Sequence, residues 1–257
     1  PLKLCLYICY IKAAMNVHKV YIPYLRLIAT IAVSAIHAST GYLNRVDLLA
    51  FDWNYANVIN SFTRLAVPLF VMISGALMLG QAEPMSVFYK KRMSRILWPF
   101  MFWTLIYLGY HFYRYTHFSM LSTSTIWQTI ADKLLHGSSV HLWYLYMIIG
   151  LYLAIPFLRK IVNNSSDREI KTFLGFWFLS LLFMNKRLTS YMPAIDLTFF
   201  SGYLGYLVLG FYLAKEKVSL KPAYSAWIFI VVGIASVIGT YTLCKVNMRY
   251  DTLLYGY

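Results

Sequence analysis

Long apolar runs broken by short polar, basic connections organise the chain. They fall near residues 22–42, 57–80, 96–115, 141–160, 170–186, 196–214 and 224–244. Each is read as a helix, because a bilayer takes roughly 20 apolar residues per crossing and offers no water to an unsatisfied backbone group. The fifth run is short. Between the third and fourth lies a polar stretch, Thr116 to Val140, where Ile126, Ile130 and Leu134 recur every four residues. That spacing predicts a short amphipathic helix lying at the membrane interface. The expected architecture is all-α, a polytopic transmembrane helix bundle with about seven helices.

Composition excludes the soluble alternative. Of 257 residues, 60% are hydrophobic and 12% charged, against about 25% charged in soluble domains. The 23 Tyr, 17 Phe and 7 Trp suit the headgroup level, where amphipathic rings collect. The net charge of +14 comes from residues scattered between apolar runs rather than from a basic stripe. It is read as topology signal, so no nucleic acid is expected among the partners and membrane lipid is. On one side the spans place Lys19, Arg26, Lys90, Lys91, Arg92, Arg95, Arg159, Lys160, Arg168, Lys171, Lys215, Lys217 and Lys221. The other side holds Arg45, Arg64, Arg114, Lys133, Lys186, Arg187, Lys245 and Arg249, and Arg64 and Arg114 lie within apolar runs. The positive-inside bias then predicts a multi-pass protein with a cytoplasmic N-terminus. Cys5, Cys9 and Cys244 have no metal-site or disulfide spacing, and no metal is expected.

Residues 1–14 begin without Met, and Met15 looks like a natural start. Leu4 to Ile11 is too short to span, and Ala13-Ala14 is a poor cleavage site. Residues 1–14 are therefore expected to be a non-native or upstream extension, and 15–257 a membrane domain truncated after Tyr257.

Polar residues inside apolar runs carry the chemistry, since a charge in lipid is costly and commonly functional. Arg26 and His37 lie eleven residues apart on the first run. On a helix that is about 20° from the same face and roughly 16 Å along the axis. Both are expected to look into one cavity, Arg26 nearer the cytoplasm. The plainer alternative has Arg26 snorkelling to the interface and His37 bonding a neighbouring helix. Arg64 lies about 10 Å inside the second run, at a depth similar to His37, where the two can meet or Arg64 can snorkel outward. Pro68 breaks a backbone bond, and Ser74-Gly75 permit close helix approach.

These residues resemble a known pattern. Arg26 and His37 on the first helix are followed by Arg64, Pro68-Leu69-Phe70 and Ser74-Gly75 on the second. Lys91, Arg92, Arg95 and Pro99 precede or open the third helix, and His141-Leu142-Trp143-Tyr144 open the fourth. Together they look like the acyltransferase-3 family of membrane-bound O-acyltransferases, over roughly residues 20–257. The run Tyr55 to Ser61, and more loosely Gly205 to Gly210, is similar to the type that O-acetylates enterobacterial common antigen. Members commonly carry an Asp three residues before the Arg, where this chain has Pro23. They usually have about ten helices, so seven of an expected ten are present.

The resemblance implies an integral protein of the bacterial inner membrane. It would move an acetyl or other short acyl group from a cytoplasmic acyl-CoA donor to a sugar hydroxyl of a surface polysaccharide or its lipid-linked precursor. Acetyl-CoA is then a co-substrate, and no cofactor is bound. His suits a base working near neutral pH, and burial keeps its imidazole neutral. His37 and Arg64 are the implied catalytic pair, with Arg64 stabilising oxyanion charge or orienting the acceptor. Arg26, Arg92 and Arg95, with Ser74 and Gly75, are implied on the donor side, guanidinium forks suiting phosphates. Positive-inside anchoring is the alternative for Arg92 and Arg95. His141, Trp143 and Asp196 are expected at the outer ends of their helices, as acceptor contacts. No Gly-x-Ser-x-Gly, His-Glu-x-x-His or His-x4-Asp motif occurs. The competing readings are a transporter or flippase for a lipid-linked sugar, although no inverted repeat is visible, and a seven-helix receptor suggested by helix count alone.

Overall fold

The computed structural model describes residues 21–45, 47–115, 123–136, 142–183, 202–215 and 221–247. Among these the chain is all-α, with nine helices. They are α1 (Tyr21–Leu43), α2 (Phe51–Thr63), α3 (Ala66–Met78), α4 (Met85–Tyr115), α5 (Thr123–His136), α6 (Trp143–Asn164), α7 (Asp167–Phe183), α8 (Tyr203–Leu213) and α9 (Pro222–Asn247). Each of the seven apolar runs contains a helix, and α5 is the amphipathic helix expected from Ile126, Ile130 and Leu134.

Two differences from the expectation bear on the site. The second run is α2 and α3, parted at Arg64-Leu65. Pro68 explains the break: it has no N–H for the Arg64 carbonyl, and it is tolerated in the first turn of a new helix. The third helix begins at Met85, eleven residues before the apolar run. The basic segment Lys90 to Arg95 is therefore helical rather than a loop, which Lys and Arg favour as good helix formers.

Four stretches are long and apolar enough to cross a membrane: Tyr21–Leu43, Phe51–Met78 (α2 with α3), Trp143–Asn164 and Pro222–Val246. The outward faces are apolar as well. On α9, Tyr224, Trp227, Ile228, Val231 and Val232 are exposed, as are Trp98, Met101, Phe102 and Leu105 on α4. Contiguous apolar surface of this kind suits lipid and not water.

The chain divides into two compact units, Pro1–Leu77 with Leu174–Tyr257, and Met78–Phe173. In the first, α2 lies against α1 and α9. Leu43, Trp53, Ala56 and Cys244 form a buried cluster. The Trp53 indole donates to the Leu43 carbonyl at 3.2 Å and meets the Tyr241 ring edge-on. Small residues let α3 and α8 touch: a Cβ at Gly75 would overlap the Leu207 carbonyl, and one at Gly210 the Met72 carbonyl. Gly205 makes room for the Trp177 indole, which donates to the Gly202 carbonyl at 3.0 Å. Gly202 has a φ of 86°, a conformation glycine adopts without cost.

In the second unit α4 packs on α6 and α5. Phe100 meets Tyr146 edge-on at 4.8 Å, and the Tyr89 hydroxyl donates to the Leu153 carbonyl at 2.9 Å. Ser166 and Glu169 close the start of α7 as a capping box, the Ser166 N–H donating to the Glu169 carboxylate at 2.6 Å and the Glu169 N–H to the Ser166 hydroxyl at 3.3 Å. That reciprocal pair satisfies two donors otherwise orphaned at a helix start.

Candidate active site

Arg26 and His37 stand on one unbroken helix, α1, with Pro23 in its first turn, where a missing N–H costs little. Helix geometry keeps the two side chains within about 20° of each other. Among the described residues neither is enclosed, and both are exposed. The buried side of α1 is a different one, carrying Ile22, Ala29, Ser39 and Leu43. Ser39 lies two residues from His37, about 200° round the helix. One link from α1 toward Arg64 runs through Ser39: the Asn60 amide donates to the Ser39 hydroxyl at 3.0 Å.

Arg64 is the hub of this polar group. Its Nε donates to Asn60 Oδ1 at 3.4 Å, its Nη1 to the Ser236 hydroxyl at 3.1 Å and its Nη2 to the Thr240 hydroxyl at 2.8 Å. The side chain leans back over Asn60, four residues earlier, as helix side chains lean toward the N-terminus. Asn57 extends the group by donating to the Val237 carbonyl at 3.0 Å and accepting from Ser61 at 3.2 Å. Asn57, Asn60, Ser61, Ser39 and Thr240 are all buried. Each of these named partners is neutral, a set of hydroxyls and an amide around the guanidinium. Such a cation can orient an anionic or carbonyl oxygen.

Asn57, Asn60, Ser236 and Thr240 had no assigned role in the sequence. The signal for the first two was present: Asn57, Asn60 and Arg64 follow helical spacing on one face. Ser236 and Thr240 also lie four apart, but a hydroxyl in an apolar helix commonly bonds its own backbone and says nothing about a partner.

Ser74 donates to the Phe70 carbonyl one turn back, at 3.0 Å. Gly75 is buried against the Leu207 backbone. The structure thus places both in the α3–α8 crossing.

The second unit holds the other basic residues. Arg92 and Arg95 lie three apart on α4, Arg92 half-buried and Arg95 exposed. Beside them is a buried cation that the charge count had placed at the cytoplasmic end of the fourth run. Arg159, on α6, is 5% exposed. Its Nε donates to the Met78 carbonyl at 2.7 Å, its Nη2 lies 3.6 Å from the Glu83 carboxylate, and its plane covers the Phe88 ring at 4.5 Å. Glu83 also faces Lys91 at 3.8 Å. Trp143, half-buried, opens α6 and meets Tyr144 edge-on. His141 and Asp196 lie outside the described residues.

Apolar helices around a half-buried, hydrogen-bonded Arg64 guanidinium suit a multi-pass membrane protein with a polar centre. Comparison with family profiles gives the class its name: the family described as Acyltransferase domain (Acyl_transf_3) matches residues 19–257, and the chain belongs to this acyltransferase-3 family. It is a membrane acyltransferase. Neither a curated protein nor a solved structure matches the chain.

Proposed function

We propose that the protein transfers an acetyl or other short acyl group from cytoplasmic acyl-CoA to a sugar hydroxyl of a surface polysaccharide or its lipid-linked precursor. The observation that carries the reading is the Arg26–His37 pair on one unbroken helix of a chain in this family. His37 takes the proton from the attacking hydroxyl. The oxygen then bonds the acyl carbon, the carbon–sulfur bond breaks, and the CoA sulfur leaves as the thiol with the proton that His37 took up. Arg64 orients the acceptor or the developing oxyanion. Arg26, Arg92 and Arg95 meet the phosphates of the donor, while His141, Trp143 and Asp196 are acceptor contacts. The reading places the protein in a bacterial inner membrane with its N-terminus in the cytoplasm, as the basic connections favour. Similarity to the enterobacterial-common-antigen type rests on the run Tyr55 to Ser61 and nominates that glycan as the first acceptor to try. Family membership favours this enzyme over a transporter or receptor.

The test supplies labelled acetyl-CoA to inverted membrane vesicles with and without the protein and measures label in extracted glycan. Protein-dependent label is expected. Label that is independent of the protein overturns the reading.

A further inference from the structure

One pair in the second unit, Glu83 and Arg159, is left without a role by this mechanism. Glu83 lies on the connection between α3 and α4, its side chain 15% exposed. Around it stand Arg159 at 3.6 Å and Lys91 at 3.8 Å, with Arg92 a like-charged neighbour of Arg159. Two cations thus share one carboxylate, and a third stands beside them. Neither ion pair is a close hydrogen bond, which for these groups means about 2.7–2.9 Å. Among the described residues Glu83 Oε2, Arg159 Nη2 and Arg92 Nε are buried with no hydrogen-bond partner. The two basic residues on α4 differ from Arg159 in one respect: Lys91 is half-exposed and Arg92 half-buried, so a ligand can reach them.

Arg159 is held from several sides. The Met78 carbonyl accepts from its Nε, the Glu83 carbonyl from its Nη1 at 3.5 Å, and Phe88 lies against its face. One turn on, Asn163 donates to the Leu79 carbonyl at 3.4 Å. A guanidinium fixed in this way cannot turn toward a ligand, but it sits where it compensates the Glu83 charge. Without that compensation the carboxylate, already paired with Lys91, would draw on Arg92 as well and repel any approaching phosphate.

We propose that Arg159 is a positioning residue of the donor site: it engages Glu83 beside Lys91, and so leaves Arg92 free to bind the phosphates of the acyl donor. The inference rests on the donor reading above and deepens it. It carries a distinctive consequence, because Arg159 is needed only while Glu83 is charged.

The test is equilibrium binding of labelled acetyl-CoA to membrane vesicles carrying wild type, Arg159→Gln, Glu83→Gln, the double variant and Arg92→Ala, each normalised to protein in the membrane. Arg159→Gln should weaken binding about tenfold, within the range seen for directly coupled neighbours, and the double variant should return to within about threefold of wild type. Glu83→Gln alone should bind as well as wild type or better. That variant keeps the proposal testable if Arg159→Gln does not accumulate, and weakened binding in it overturns the proposal. A double variant as weak as Arg159→Gln also overturns it, leaving Arg159 as a clamp on the α3–α4 connection. So does normal binding in Arg159→Gln when Arg92→Ala is weakened, a result that spares the donor reading. Normal binding in both Arg92→Ala and Arg159→Gln removes the donor reading, and this inference with it.

Discussion

The Arg64 guanidinium donates to the hydroxyl of Thr240 at 2.8 Å, across 176 residues of sequence. This bond, with those to Ser236 and Asn60, ties the hinge between α2 and α3 to α9. The hinge is where Pro68 leaves the Arg64 carbonyl without its usual donor. A break in a membrane-crossing segment is tolerated where protein polar groups surround it, and the Arg64 group supplies such surroundings.

Thr240→Val should therefore cost about 2 kcal/mol of stability, the range for a hydrogen bond to a charged group. Thr240→Ser should cost less, because it keeps the hydroxyl. Thermal unfolding of the detergent-purified variants measures both. A Thr240→Val protein as stable as wild type would mean that the guanidinium does not depend on α9.

The α3–α8 crossing predicts a sharper contrast between glycines. At Gly75 and Gly210 a methyl group would meet backbone, which no rotamer change relieves. Gly75→Ala and Gly210→Ala should lose about 1–3 kcal/mol or more through overpacking. Gly109→Ala and Gly150→Ala, with no atom within 4 Å of the added carbon, should be neutral or slightly stabilising, since Ala restricts the unfolded chain. Comparable membrane levels and melting temperatures for all four variants would refute the close crossing.

Much of the fold was legible because apolar length is a strong signal. The helices α1 and α9 match the first and seventh runs to within three residues at either end, since in lipid nothing competes with that signal. Where polar chemistry decides, the sequence said less. The run through Arg64 looked continuous because sixteen apolar or small residues follow it, and the hinge shows only in the position of Pro68. Similarly, Lys90 to Arg95 looked like a connection because charge ends an apolar run, although it does not end a helix. Arg159 was hidden for a related reason. Next to Lys160 it reads as one of two anchoring cations, and only tertiary contacts with Met78, Glu83 and Phe88 separate the buried residue from its exposed neighbour. Of the candidate site, the Arg26–His37 spacing was plain from helical geometry, whereas the Ser39–Asn60–Arg64 link needed the packing of α1 on α2.

The capping box of α7 gives a pH-dependent expectation. The Ser166 hydroxyl and then its backbone N–H donate to the Glu169 carboxylate and lower its pKa from the ordinary glutamate value. A depressed folded-state pKa means the contribution is present above the ordinary value, about 4.3, and fades as pH falls through the folded value. At neutral pH, amide exchange around Ser166–Ile170 should be slower in wild type than in Glu169→Gln. The difference should vanish in acid. A difference that persists unchanged below both values would show that the carboxylate charge plays no part in the cap.

The geometry of α1 allows function and stability to be separated at His37. His37 is on an exposed side of the helix, while Ser39, about 200° away, makes the buried bond to Asn60. Replacing His37 therefore keeps the hydroxyl that makes that bond. If His37 is the general base, His37→Ala should lose 10²- to 10⁴-fold in rate, about the usual contribution of such a group. His37→Gln should be equally inactive, since a carboxamide keeps hydrogen bonds but takes no proton. Both proteins should reach the membrane at normal levels and melt near wild type. Ser39→Ala should show the opposite pattern, destabilised by about 1 kcal/mol for a lost neutral hydrogen bond and retaining its base. The measurements are acetyl content of purified surface glycan and thermal unfolding of the same variants. Near-normal acetylation by His37→Gln would remove the histidine from the chemistry and leave Arg64 as the polar centre around which the base must be sought.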